Sequence, residues 1–99
     1  MAFGFGRKKK ASGVERTPAQ VAQILENFLN NTGPKWEWDD FTATPLTDPE
    51  LERIRDHCKR LDLEFPPEKP GEFTNEMGRG VVRGYLEQVR AAAPAASTK

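Results

Sequence analysis

The chain has 99 residues, a formal net charge of zero, one cysteine and one histidine, with 36% hydrophobic and 30% charged residues. That length excludes more than one domain and leaves room for a small bundle, not for a bundle built around an enclosed catalytic cavity. One cysteine and one histidine exclude an intrachain disulfide and a four-ligand zinc site within the chain.

The zero net charge hides an asymmetry. Residues 1–16 hold five Lys or Arg against one acid, residues 17–73 six against twelve, and residues 74–99 four against two. A basic head is thus joined to an acidic body, a pattern that speaks about partners and not about chemistry. No apolar run approaches the ~18 residues of a membrane span, and Met1-Ala2-Phe3 carries neither a secretory nor a myristoylation signal. With a lone thiol, the expected location is cytoplasmic.

Residues 1–16 show no helical or strand period and read as a flexible basic tail. Arg7, Lys8, Lys9 and Lys10 form a compact cationic run suited to phosphates of nucleic acid or anionic lipid. Phe3 and Phe5 would add insertion at a membrane interface or stacking on an unpaired base.

The first helix is predicted over 17–31. Thr17 is a good N-cap, Pro18 suits the first helical position, and Gln20 completes a capping box. Val21, Ile24, Leu25, Phe28 and Leu29 follow at helical spacing, and Gly33 before Pro34 is expected to supply a left-handed cap.

The connector 35–45 is expected to be irregular and well packed. Trp36, Trp38 and Phe41 stand beside Asp39 and Asp40, an aromatic–acidic set suited to a basic partner segment. A chain with nine aromatics needs most of them inside, so one Trp is expected in the core and the other as an anchor. Trp38 is the natural residue on which to test that anchor. Adjacent Asp39 and Asp40 imply no acid–base pair.

The second helix is predicted over 48–61, opened by a Thr47–Glu50 capping box and Pro49. Leu51, Ile54, Cys58 and Leu61 form its apolar stripe, while Glu52, Arg53, Arg55, Asp56, Lys59 and Arg60 occupy the other faces. Glu52–Arg55 and Asp56–Arg60 are spaced as surface ion pairs worth about 0.2–0.5 kcal/mol each. His57 and Cys58 diverge by about 100° and form no nucleophile–base pair, so the expectation is an exposed imidazole beside a core thiol.

Residues 63–73 read as an extended crossing, because Pro66, Pro67 and Pro70 forbid a helix. Pro67 and Pro70 meet the minimal P-x-x-P pattern, which is too common to carry a function here.

The third helix is predicted over 75–90 with Met77, Val81, Val82, Tyr85, Leu86 and Val89 on one face, capped by Thr74 or Asn75. Gly78, Gly80 and Gly84 each cost about 1 kcal/mol against Ala, so the helix should be firm only from Val81. Gly80 and Gly84 would let another backbone approach, and Arg79 and Arg83 would link to the acidic second helix. Residues 91–99 read as an Ala/Pro-rich tail.

The fold expected is mainly α: a small three-helix domain over 17–90, an irregular Trp-containing connector and disordered termini. Val21, Ile24, Leu25, Phe28, Leu51, Ile54, Cys58, Leu61, Val82, Leu86 and Val89 should line the core, with short strands tolerated near Trp36 and Phe65. The function expected is a non-catalytic adaptor, without metal or cofactor, presenting residues 36–41 to a protein partner. The alternative is an accessory protein that meets nucleic acid or an anionic membrane through Arg7–Lys10. An apolar face left over by short helices would suit a homodimer.

Overall fold

Thr17 and Gln20 open the first helix as their spacing requires. The Gln20 amide donates to Thr17 Oγ1 at 3.1 Å, and the Thr17 amide donates to Gln20 Oε1 at 2.9 Å. In the computed structural model, which describes residues 13–92, that helix is α1, Pro18–Asn30. It is followed by α2, Glu37–Ala43; α3, Pro49–Glu64; and α4, Glu76–Ala92. The domain is mainly helical as expected, with no strand among the described residues. The connector is where it departs, since it contains a two-turn helix of its own. Expectations for residues 1–12 and 93–99, including Arg7, Lys8, Lys9 and Lys10, lie outside the described residues.

The helix ends show where local signals compete. Asn31, not Gly33, is the left-handed cap of α1, with φ 58° and its amide bonded to the Asn27 and Phe28 carbonyls. Gly33 also has positive φ, 93°, a backbone conformation that favours glycine whatever the space around it. A Cβ there would sit 2.7 Å from Glu37 Oε1 and 2.8 Å from Asn27 Nδ2, which bond each other at 2.9 Å. At α3 the cap is Asp48, whose Oδ1 accepts from the Glu50 and Leu51 amides at 2.9 and 3.1 Å. Thr47, one residue earlier, is not the cap, and its amide donates to the Val14 carbonyl at 3.1 Å.

That last bond belongs to an isolated parallel bridge between Val14 and Leu46, completed by the Val14 amide on the Pro45 carbonyl at 2.9 Å. Residues 13–16, expected in the tail, are therefore tied to the domain. No short strand forms at Trp36 or Phe65.

Helix α4 is continuous from Glu76, not firm only from Val81. Asn75 Oδ1 accepts from the Met77 and Gly78 amides at 2.9 and 3.2 Å and caps it. Gly78 is where the chain needs a glycine: a Cβ would fall 2.0 Å from Thr74 Oγ1, in the 1%-exposed joint between α3 and α4. Gly80 and Gly84 meet nothing within 4 Å, so the backbone approach expected there is not made.

Helix α4 packs mainly along α1, and α3 closes against α2 and α4. Val21, Ile24, Leu25, Leu51, Ile54, Cys58, Leu61, Val82, Leu86 and Val89 are buried as their stripes require, joined by Ala22, Phe41 and Leu46. Phe28 is half-buried and packs against that core. Arg55 corrects another expectation: placed by its spacing in a surface ion pair, it is 5% exposed.

Candidate partner-binding site

Helix α2 holds the aromatic–acidic set, and its own chemistry explains why it forms. Glu37, Asp39 and Asp40 lie in the first turn, where carboxylates oppose the positive end of the helix dipole. Thr42 turns its hydroxyl back to the Trp38 carbonyl at 3.0 Å, and Thr44 leaves the helix in an extended conformation before Pro45.

The helix sorts the set into two sides. Trp38 stacks on Phe28 with ring centroids 3.9 Å apart and planes 21° apart, while the Phe73 ring stands beside it at 5.7 Å with planes 76° apart. Phe41 lies 5.6 Å from Trp38 and is 0% exposed. Phe41 therefore cannot touch a partner, and Trp38 is a packing residue that holds α2 to α1. Phe41 leaves the contact surface expected from the sequence, whereas Trp38 is half-buried and keeps part of its surface in the cleft beside α2.

The other side keeps Trp36, Asp39 and Asp40. Asp39 and Asp40 lie in the first turn of α2, three and four residues after Trp36, its N-cap residue. Trp36 is 64% exposed, and both carboxylates are exposed. Lys35 Nζ stands 5.1 Å from the Trp36 ring centroid, and Arg16 reaches Asp40 at 3.5 Å. The indole keeps most of its surface in water.

Beside this face runs a cleft of about 580 Å³ between the Gly33-Pro34 and Pro70-Gly71 turns. Phe28, Trp38 and Phe73 contribute its aromatic wall, and the buried Trp38 indole N–H has no acceptor among the described residues. Arg79 lies at one end. It donates to the Leu29 carbonyl, stands 5.7 Å from the Phe28 ring, and meets Glu76 at 3.8 Å. Arg83 reaches the same Glu76 at 3.5 Å. The two arginines thus serve α4 and the end of α1, not the acidic α3.

Two further groups were singled out by the sequence. Cys58 is fully buried, and burial pushes its thiol up to about 12, with Arg55 pulling weakly the other way. His57 is not an exposed imidazole. Its Nδ1 lies 2.6 Å from the Tyr85 hydroxyl and its Nε2 lies 2.9 Å from Glu64 Oε1. Both ring nitrogens are thus engaged, one with a phenol and one with a carboxylate. Burial raises the Tyr85 phenol above its ordinary value, and the trio ties α3 to α4. Residue spacing on α3 and α4 gave no sign of this cross-helix link. None of the three lines the 580 Å³ cleft beside α2.

Among the described residues, no group of three or more His, Cys, Asp or Glu is placed to hold a metal ion. No described helix is long and apolar enough to cross a membrane. Comparison with family models, with curated proteins and with solved structures returns no match.

Proposed function

We propose that the protein is a non-catalytic interaction module that receives a basic segment of a protein partner on the outward face of α2. One observation carries this reading: an indole that is 64% exposed stands at the N-cap of α2, three and four residues before two exposed carboxylates. The helix itself is fastened from behind by Trp38 and Phe41. Tryptophan is enriched among the residues that dominate binding energy, and flanking carboxylates select lysine or arginine in the partner. A rigid platform lowers the entropic cost of ordering the contact.

The test is capture from native lysate with the full chain, Trp36→Ala, and the Asp39→Asn/Asp40→Asn pair. Loss of one and the same partner from both variants, with an unchanged helical circular-dichroism signal, supports the reading. Undiminished capture by both overturns it.

The charge asymmetry favours a second reading, contact of Arg7–Lys10 with phosphates of nucleic acid or anionic lipid. It requires salt-sensitive binding of the full chain to an oligonucleotide or to phosphatidylserine vesicles. No binding at low salt removes it.

A further inference from the structure

A second surface lies away from α2. The N-terminal ends of α1 and α3 and the last turn of α4 enclose a groove of about 320 Å³. Leu51, Ile54 and Val89 form its floor, with Pro18 and Ala92 at the sides. Its charged lining residues are Asp48 and Glu50, both carboxylates. Asp48 caps α3 through Oδ1 and Glu50 meets Arg53 through Oε2, which leaves Oδ2 and Oε1 for other donors. The volume sits at the low end of the range for ligand pockets, about 300–1,000 Å³, and suits one aromatic ring.

The point at which the described chain begins bears on this groove. A Cβ on Gly13 would lie 3.0 Å from the Thr47 amide nitrogen, so the described chain begins beside Thr47, the residue before Asp48 on the groove's rim. Lys10 is three residues from Gly13 and Phe5 eight. At about 3.3–3.6 Å per residue, the chain is long enough for the basic run to meet Asp48 and Glu50 and for a phenylalanine to meet the apolar floor. Phe3 and Phe5 are the two of the chain's nine aromatics that lie outside the described residues. Residues 93–99 also start at this rim, but they hold no aromatic and their one charge is Lys99.

We propose that this groove is the docking site of the chain's own N-terminal segment, with a Phe3 or Phe5 ring on Leu51, Ile54 and Val89 and the Arg7–Lys10 run against Asp48 and Glu50. An aromatic ring carries a large apolar area, and a tether of a few residues holds it at an effective concentration near millimolar. Weak contacts then suffice to fill the site. This docking is independent of the α2 face, which lies on a different set of residues.

The experiment uses the full chain with Gly4→Cys carrying a nitroxide. Cys58 is buried with its thiol held protonated, so the label goes to the introduced thiol. Loss of the Leu51, Ile54 and Val89 methyl signals is expected, with recovery when Phe3→Ala and Phe5→Ala are added. Partial recovery is expected as salt is raised. Methyl signals that stay intact, or losses centred on Trp36 and Asp39, overturn the proposal. Loss that persists in the double alanine variant overturns the aromatic seat. Loss that appears only between labelled and unlabelled copies assigns the segment to a second molecule and overturns docking within one chain.

Discussion

Arg55 and Glu52, one turn apart on α3, form a two-pronged ion pair closed over by the chain between α2 and α3. Arg55 Nε donates to Glu52 Oε1 at 2.8 Å and Nη2 to Oε2 at 2.6 Å, while Nη1 donates to the Thr42 carbonyl. The Leu46 amide adds a bond to Glu52 Oε1 at 2.7 Å. The pair therefore joins helix α3 to the end of α2 and to the bridge at Val14.

Arg55→Ala is expected to cost about 3 kcal/mol in urea unfolding, the low end for a broken buried pair because the Glu52 side chain keeps 32% of its surface. Replacing both partners, Glu52→Gln with Arg55→Met, should recover part of that loss, since no uncompensated charge remains. A double variant as unstable as the single one would show that packing alone matters here.

The same pair sets an acid limit. The bond from Arg55 holds the Glu52 carboxyl below its ordinary value of 4.5, against the opposing effect of burial and with help from the Leu46 amide. A depressed folded pKa contributes stability above about 4.5 and loses it as pH falls through the folded value. Unfolding free energy measured from pH 7 downward should drop below that point. In Glu52→Gln the decline should be shallower; an equal slope would remove Glu52 as its source.

Three glycines of α4 give a contrast with opposite signs. Gly80→Ala and Gly84→Ala enter open space on a helix and should each gain about 0.5–1 kcal/mol. Gly78→Ala forces its methyl into Thr74 Oγ1, which lies 2.6 Å from the Phe65 carbonyl and 3.2 Å from the Leu61 carbonyl. It should cost about 1–3 kcal/mol despite the better helix propensity. Thermal melts of the three variants decide the matter.

These positions also show what a sequence can disclose. The stripes of α1, α3 and α4 were legible because ten buried positions repeat at helical spacing. Helix α2 was not: seven residues with Trp38 and Phe41 facing in give too few turns to establish a period, and Trp36 makes no side-chain cap. Arg55 was misplaced because charge argues for solvent, and only the fold of residues 42–46 over α3 reverses that. The Val14–Leu46 bridge joins segments 32 positions apart and leaves no local trace. At the candidate site, residue types were readable but orientation was not. The alternation of Trp36 and Trp38 resembles a short strand, which would put both indoles on one side, whereas α2 separates them and Phe28 and Phe73 hold Trp38.

That choice is open to direct measurement. Trp38→Ala should remove the stack on Phe28 and cost about 3 kcal/mol, whereas Trp36→Ala should stay within about 0.5 kcal/mol of the parent. Equal losses would place Trp36 inside and remove the platform from the proposed interaction face.

Cys58 reports on the whole core. Its thiol lies at 0% exposure on α3, and burial lifts it from 9.0 to about 12, so the native state holds almost no thiolate near neutral pH. A thiol reagent such as Ellman's should react only through opening of the domain, at a rate that rises with urea and follows global unfolding. A raised folded pKa also stabilises the fold below about 9, a contribution lost as pH climbs toward about 12. Cys58→Ala should flatten that alkaline decline while costing stability at neutral pH through the small cavity it leaves. Rapid labelling of the native chain at pH 7 would mean that the contact between α3 and α4 opens far more easily than a closed core allows.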